Sequence, residues 1–464
     1  MTPHYPNEDT IAAVATPIGQ AGIGIVRISG PCALEIAQKV FQPKRPVKSF
    51  QSHRLVLGHL VDPRSGSRVD EILLSFMKAP HTYTREDVVE INSHSGYLLL
   101  SRILQIVLAE GARLAKPGEF TFRAFMNGRI DLTQAEAIVD IINSQSERGL
   151  QLASQQISGN FRCEIEALRE RGLEILARVE VAIDFPVEEP GILPREGTVE
   201  RIEQALLEPI ERIIAAHSQR KIWMDGVDTV IAGRVNVGKS SLLNRLLDED
   251  RAIVTPVPGT TRDVIESTVH IEGLPLRLMD TAGLRKVKGK LERIGIDLAE
   301  QKLAHADLAL IVIDQSRALN QNDFKLISKS RGRNALVIVN KIDLPSRIDE
   351  KGLKTALDGL PLVRISALTG EGIDRLRKAI GHVVLEGHVD MTVTQVVPNL
   401  RHKEALSEAA RFFRSAAQNT KEGLPTEIIA MDLNSGLEAL GEIIGATTSE
   451  DVFDKIFSQF CLGK

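Results

Sequence analysis

Between residues 233 and 240 the chain reads Gly233-Arg234-Val235-Asn236-Val237-Gly238-Lys239-Ser240, two glycines five apart followed by a lysine and a hydroxyl. This is the spacing of a phosphate-binding loop. The glycines let backbone N–H groups fold around phosphate oxygens. A helix expected from Ser241 to Leu247 adds the positive end of its dipole. Lys239 offers a point charge to the terminal phosphates, and the Ser240 hydroxyl is placed to ligate Mg²⁺. Asn236, Val237, Gly238 and Ser241 complete the candidate cradle.

Three further segments follow the order of a guanine-nucleotide site. Asp280-Thr281-Ala282-Gly283 ends the apolar run Leu276–Met279. There Asp280 can hold Mg²⁺ through water, and the Gly283 amide can meet the last phosphate. Gly259-Thr260-Thr261-Arg262-Asp263 offers a second Mg²⁺ hydroxyl, assigned to Thr261. Asn340-Lys341-Ile342-Asp343 closes the apolar run Ala335–Val339. A carboxylate at Asp343 accepts from the imino and amino groups of guanine, a donor pair that adenine lacks on that edge. A buried site built for that pair rejects the wrong base strongly. Asn340 and Lys341 lie beside it. Ser366 and Ala367, before Leu368, can add a backbone N–H to the guanine oxygen. Together these motifs imply GTP and exclude ATP.

One device of many GTPases is missing. Where a glutamine would orient the attacking water, the chain has Leu284. Asn236 offers an amide oxygen to a monovalent cation beside the phosphates, or simply a hydrogen bond within the loop. Pro256 and Pro258 stiffen Thr255–Thr260, which can present carbonyls to the same cation. Glu292, after Lys288-Gly289-Lys290, can approach the water if that stretch closes, or can serve as a helix-start carboxylate.

Positioning these residues needs several domains. At roughly 100–200 residues each, 464 residues suggest about three. Residues 1–118 alternate short apolar runs (Ile11–Ala15, Gly24–Ile28, Arg54–Val61, Glu71–Phe76, Val88–Ile91) with turns and one helical run, Tyr97–Glu110, as an α+β domain does. Residues 119–220 turn to a helical period, clearest in Ile165, Leu168, Leu176, Val179 and Ile183. Pro190 and Pro194 break it, and Glu200–His217 resumes it. Residues 221–384 alternate strands (Thr229–Ala232, Leu308–Ile313, Ala335–Val339) with helices, the pattern of a doubly wound α/β sheet. Residues 385–464 return to helix, over Lys403–Gln418 and Pro425–Phe460. An α/β unit interrupting a helical domain is expected. Gly19, Gly22 and Gly24 do not form a dinucleotide fingerprint, because a strand follows them.

With 57 Lys and Arg against 61 Asp and Glu, the net charge of −4 excludes a wholly basic nucleic-acid coat but not a local basic patch. Arg401-His402-Lys403 and Arg411-Phe412-Phe413-Arg414 are candidates for such a face, although this spacing more often marks a solvated face over a core. Three scattered cysteines, Cys32, Cys163 and Cys461, exclude a disulfide framework. No long apolar run suggests a membrane span, and the first residues do not resemble a secretory signal. Cys461 sits fourth from the end, but Gly463 and Lys464 do not suit a prenylation box. A cytoplasmic protein is expected.

The phosphate loop with its asparagine, Gly259–Asp263, Asp280–Arg285, Leu291–Ile296, Ala15–Gly30, Lys116–Ala137 and the final Phe460–Lys464 resemble the bacterial tRNA-modifying GTPase family MnmE, also called TrmE. The resemblance covers the whole chain. It implies a folate-binding-like N-terminal α+β domain that dimerises, a central helical domain, and an inserted Ras-like P-loop GTPase domain. It also implies Mg²⁺ and potassium-dependent GTP hydrolysis. The potassium ligands fall on Asn236, Thr255, Val257 and Thr260, and the catalytic glutamate falls on Glu292. A formyl- or methylene-tetrahydrofolate is implied at Arg27, Glu90, Arg129 and Lys464. Some relatives carry lysine at position 129, which keeps the charge but not the geometry. An FAD-binding partner, MnmG (GidA), is implied, with which an aminomethyl or carboxymethylaminomethyl group is added at carbon five of the wobble uridine of certain tRNAs. Cys461 is a possible functional thiol, with Lys464 its nearest basic neighbour. The competing expectation is a ribosome-assembly GTPase, an RNA-binding switch that uses no folate.

Overall fold

The computed structural model describes residues 9–17, 19, 21–184, 195–250, 267–279, 303, 306–385, 396–447, 450–458, 460 and 462–464. Its first seven strands are β1 (Ile11–Val14), β2 (Gly24–Ser29), β3 (Phe41–Pro43), β4 (Arg54–Val61), β5 (Arg68–Met77), β6 (Val88–Ser93) and β7 (Arg113–Leu114). They form one sheet in the order β3-β4-β5-β6-β2-β1-β7. Every pairing is antiparallel except β1 with β7. The alternation seen in the sequence is the alternation of faces. Val26, Ile28, Leu74 and Ile91 pack under the helices Ala33–Val40 and Tyr97–Ala109. The positions between them, Arg27 and Glu90, stand opposite one another on the other face.

The second sheet contains β8 (Val227–Ala232), β9 (Ser267–Ile271), β10 (Leu274–Leu278), β11 (Leu308–Asp314), β12 (Ala335–Asn340) and β13 (Leu362–Arg364). Its order is β13-β12-β11-β8-β10-β9, parallel except for β9 with β10. Strands β11 and β12 are buried at every position. Leu310 and Val312 face one core, with Leu242 and Leu376, while Ile311 and Ile313 face the other, with Leu326 and Leu353. Continuous apolar runs are what a doubly wound sheet needs, since helices cover both faces.

The helical part comes from both flanks of this unit. Phe161, Leu168, Leu176 and Leu206 share one core with Leu406, Phe413, Leu433 and Leu440. The helix Asn160–Asp184 packs on Thr426–Ile444, and Thr426–Ile444 on Leu400–Glu422. The helical run expected over Pro425–Phe460 is two helices, Thr426–Ile444 and Glu450–Phe457. Gly445 ends the first with φ +87, a left-handed turn that glycine adopts without strain.

Of the candidate basic face on Leu400–Glu422, Arg401 and His402 turn inward while Arg411 and Arg414 lie on the surface over a core that holds Phe413, which is the commoner arrangement of the two. Arg401 makes two hydrogen bonds to the buried Glu136, at 2.8 and 2.7 Å, and His402 Nε2 lies 2.6 Å from the same carboxylate. Phe413 is core, and Arg411 and Arg414 pair with Glu408 and Glu211. Burial works against the charge on Glu136, but His402 and Arg401 outweigh it and hold the carboxyl well below its ordinary value of 4.5. A depressed carboxyl stabilises the fold above the unfolded value and loses that contribution as pH falls. Arg401→Met is therefore expected to cost about 3–5 kcal/mol at neutral pH, because it strands a buried carboxylate. Urea unfolding would measure it, and the loss should shrink below about pH 4 as the carboxyl protonates. An undiminished loss in acid would refute the charge origin.

Candidate functional site

The phosphate loop follows β8 and opens the helix Lys239–Asp250. Its backbone takes conformations that few residues accept: φ is +152 at Gly233, +65 at Asn236 and +100 at Gly238. A side chain at Gly233 would run into the carbonyl of Val312, and one at Gly238 into the amide of Asn340. Lys239 donates to the carbonyls of Gly233 and Arg234, at 2.6 and 2.7 Å, and burial lowers its pKa. Ser240 sits exposed on the first turn of the helix, with Ser241 next to it.

The guanine-side segments meet this loop through side chains. Asn340 is 2% exposed. Its Nδ2 donates to Val237 O at 2.9 Å, and its Oδ1 accepts the Ala367 N–H at 2.9 Å. Lys341 donates to Asn236 O at 2.8 Å and to Asp314 Oδ2 at 2.6 Å. Burial alone would push the Asp314 carboxyl up, but hydrogen bonds from Lys341 and Ser316 more than offset it and hold it below the usual range. Ser366 Oγ donates to Asp343 Oδ1 at 2.5 Å and accepts the Thr369 N–H. The side chain of Ser366 thus orients the Asp343 carboxylate, and the Ala367 N–H is engaged by Asn340.

Asn236, Val237, Gly238, Lys239, Ser240, Ser241, Asn340, Lys341, Asp343, Ser366 and Ala367 therefore converge. Thr255, Val257, Thr260, Thr261, Asp280, Thr281, Ala282, Gly283, Glu292 and Cys461 lie outside the described residues. Among the described residues no cluster of three or more His, Cys, Asp or Glu could hold a metal ion. Two residues that the motifs did not name support the site. Asp314 anchors Lys341, and Arg245 donates to Leu368 O at 2.7 Å. A carboxylate closing the buried strand β11 was a signal for Asp314, because ligands of open α/β sheets gather at the carboxyl ends of strands.

A second constellation lies on the first sheet. Arg27 Nε donates to Glu90 Oε1 at 2.9 Å, and Arg27 Nη1 to Gly463 O at 3.3 Å. The Arg27 guanidinium lies 5.7 Å from the ring centres of both Tyr83 and Phe120, within cation–π range. Arg129 lies over the other side of this corner, 4.8 Å from the Tyr83 ring, and donates to Tyr83 O at 2.9 Å. Tyr83 OH and Thr121 Oγ1 share a hydrogen bond of 2.8 Å, and burial raises the Tyr83 pKa. Gly463 has φ +89, and any side chain there would strike Val14 O, so only glycine brings the tail this close. Arg27, Glu90 and Arg129 thus share one corner with Lys464, the residue after Gly463. Tyr83 and Phe120 had no pattern to reveal them. Two guanidinia, a carboxylate and two rings suit a flat, amide-bearing heterocycle with an anionic tail.

The sequence is similar to known proteins over nearly its whole length. The family model described as "GTP-binding protein TrmE N-terminus" matches residues 10–129, and that of the MnmE helical domain matches 132–461. The protein called tRNA modification GTPase MnmE in Geobacillus kaustophilus (strain HTA426) is 47% identical over 98% of this chain and 99% of its own length. Its namesake in Bacillus subtilis (strain 168) is 45% identical over 98% of this chain and 100% of its own length. A solved structure of the G domain of the T. maritima FeoB iron transporter aligns at 26% identity with 34% of this chain and 98% of that chain, at a TM-score of 0.25, too low to bear on the fold. No helix among the described residues is long and apolar enough to cross a membrane. Matched end to end by relatives whose identity lies far above the level of chance, the chain belongs to the MnmE (TrmE) family of tRNA modification GTPases.

Proposed function

We infer that this protein is a GTP hydrolase of tRNA modification. The observation that carries this reading is identity of 43–47%, over 98% of the chain, with proteins of that name. The competing ribosome-assembly switch needs a dedicated RNA-binding domain beside its nucleotide unit. Residues matching the TrmE N-terminus and the MnmE helical domain occupy those flanks instead. The division proposed is 1–118, 119–220, 221–384 inserted, and 385–464.

Lys239 and the loop amides hold the phosphates. Ser240 and Thr261 hold Mg²⁺, which Asp280 reaches through water, and Thr281, Ala282 and Gly283 meet the last phosphate. Asp343 reads guanine, with Asn340, Lys341, Ser366 and Ala367 shaping the pocket. Potassium sits against Asn236, Thr255, Val257 and Thr260, and Glu292 orients the water. The left-handed backbone of Asn236, a conformation asparagine tolerates, supports its place in that set.

The corner of Arg27, Glu90, Arg129 and Lys464 receives a tetrahydrofolate, which when bound supplies a one-carbon unit. Glu90 accepts from the heterocycle, Tyr83 and Phe120 exclude water from it, and Arg129 meets the anionic tail. The protein acts in the cytoplasm as a homodimer with the FAD-binding MnmG (GidA). Together they add an aminomethyl or carboxymethylaminomethyl group at carbon five of the wobble uridine. Cys461 is a functional thiol near the basic Lys464 in sequence.

Asp343→Asn should lower GTP turnover at limiting nucleotide by about 100-fold or more and raise turnover of xanthosine triphosphate. Unchanged preference in a hydrolysis assay would refute the guanine assignment. Replacing potassium by sodium should slow hydrolysis by roughly 100-fold, as loss of one transition-state stabiliser does. Asn236→Gly, which removes the amide but keeps the backbone unstrained, should abolish that preference; equal wild-type rates in both salts would remove the cation. Calorimetry of the full chain with 5-formyltetrahydrofolate should show binding that Arg27→Ala weakens by roughly 10–100-fold, the worth of hydrogen bonds to a charged group. Equal affinity would clear Arg27 of contact.

A further inference from the structure

From Ile36 to Val61 the sequence holds five Lys and Arg and no Asp or Glu, in a chain whose net charge is −4. The fold gathers this stretch at one end of the first sheet. The turn between β3 and β4 carries Arg45 and Lys48, and Arg54 opens β4 opposite Phe76. The next strand ends alongside, since His53 N donates to Phe76 O at 2.7 Å and Lys78 N to Ser52 Oγ at 2.9 Å. Arg45, Lys48, Arg54 and Lys78 are all exposed. Among the described residues none of these four side chains makes a hydrogen bond or ion pair. Their neighbours Lys39 and Lys44 do, with Glu35 and Glu71, at 2.9 and 3.0 Å.

Charge on an edge strand commonly blocks edge-to-edge aggregation. That accounts for Lys44 beside the edge strand β3 and for Arg54, which opens β4 beyond the reach of β3, but not for Lys78, which follows the last residue of β5, nor for Arg45 and Lys48 in the turn. The chain leaving Lys78 forms the segment that carries Tyr83 and Arg85. Arg85 is exposed and donates to Asn127 O at 2.8 Å, two residues before Arg129. The chain that leaves Lys78 thus leads to the corner of Arg27 and Arg129.

We propose that this rim, Arg45, Lys48, Arg54 and Lys78, grips the sugar-phosphate backbone of the tRNA substrate; the proposal rests on the tRNA-modification reading above. Exposed Arg and Lys without carboxylate partners match phosphate oxygens, and contacts of this kind set the register of a nucleic acid without reading its sequence. Binding releases counterions, so it must weaken steeply with salt.

The test is fluorescence anisotropy of labelled tRNA on the full chain, from about 50 to 200 mM salt, where such contacts dominate. Replacing all four residues by alanine should lower affinity by about tenfold or more at low salt and make the log–log salt slope shallower by roughly 3. Thermal stability and GTP turnover should not change. Arg45→Lys with Arg54→Lys should keep the wild-type slope, separating charge from packing. If the fourfold variant fails to fold, Arg45→Ala with Lys48→Ala, both in the turn, should remove about half of the slope change. Wild-type affinity and slope in the alanine variants would overturn the rim while leaving the tRNA reading intact. Retained tRNA binding with loss of the FAD-binding partner would reassign the rim to a protein and overturn the proposal. Failure of the wild-type chain to bind tRNA would overturn both.

Discussion

The buried carboxamide of Asn340 holds three separate chain segments in one geometry. One end donates to the phosphate loop at Val237, and the other accepts from Ala367. At 2% exposure neither end can turn to water, and an orphaned buried amide group costs about 1–3 kcal/mol. The requirement for glycine at 238 follows, since the amide occupies the space where a side chain would begin. Lys341 repeats the device one residue on, bridging Asn236 O and Asp314. Thus the first two residues of the Asn340–Asp343 segment are spent on architecture. Asp343 is held differently, by the hydroxyl of Ser366 donating to its carboxylate. The phosphate-loop backbone and the segment Asn340–Asp343 are consequently not independent in geometry.

The corner on the first sheet works by different economics. Arg27 and Glu90 are each about one-fifth exposed, and such pairs contribute about 0–1 kcal/mol. Their value lies in position: register places them directly opposite on β2 and β6. Behind them Arg123, nearly buried, bonds to Asp9, Glu86 and Glu119, while Arg113 bonds to Asp9 and Glu119. Burial opposes the charge on Arg123, yet Glu86, Asp9 and Glu119 keep its pKa raised. Removing one member would strand the others, so the network locks the helix Glu119–Met126, which delivers Phe120 and Thr121 to the corner.

The phosphate loop and the segment Asn340–Asp343 were legible because each is local: a few consecutive residues at the end of a strand encode their own geometry. Strand β4, Arg54–Val61, was legible at both ends because its alternation is unbroken by proline. The three-residue edge strand β3 and the helix Ala33–Val40 were too short to show a period. Asp314 had a signal at the end of an apolar run, but its partner Lys341 follows from sheet order, which sets β11 beside β12; Arg245, on the helix after the phosphate loop, had none. Tyr83 is the clearest miss. It meets Arg27 and Arg129, each more than forty residues away, through a loop with no repeating pattern. The role of Arg401 and His402 was hidden for a similar reason, since a charged residue is visible in sequence while its buried carboxylate partner, 265 positions away, is not.

That partner, Glu136, belongs to the helix Leu132–Asn143, where both crossings of the inserted unit are tied down. Arg220, just before the unit, donates to Asp140 at 2.6 Å; Arg401, just after it, holds Glu136 one helical turn away. His217 Nδ1 and Pro398 O join the two crossings directly at 2.8 Å. The same helix begins at the Asp131 cap, two residues from Arg129, and ends at Ser144–Ser146, where Ser146 Oγ donates to Trp223 O and His270 Nε2 meets Gln145 O. Trp223 precedes β8 and His270 lies in β9, so this helix and the turn after it span from the corner of Arg27 and Arg129 to the second sheet. Apolar packing alone would let such a helix slide at little cost. Half-buried ion pairs at positions 136 and 140 do not, because a shift of one residue would separate both guanidinia from their carboxylates at once. These charges are better understood as a register lock than as a source of stability, which hydrophobic pairs of similar volume would supply as well.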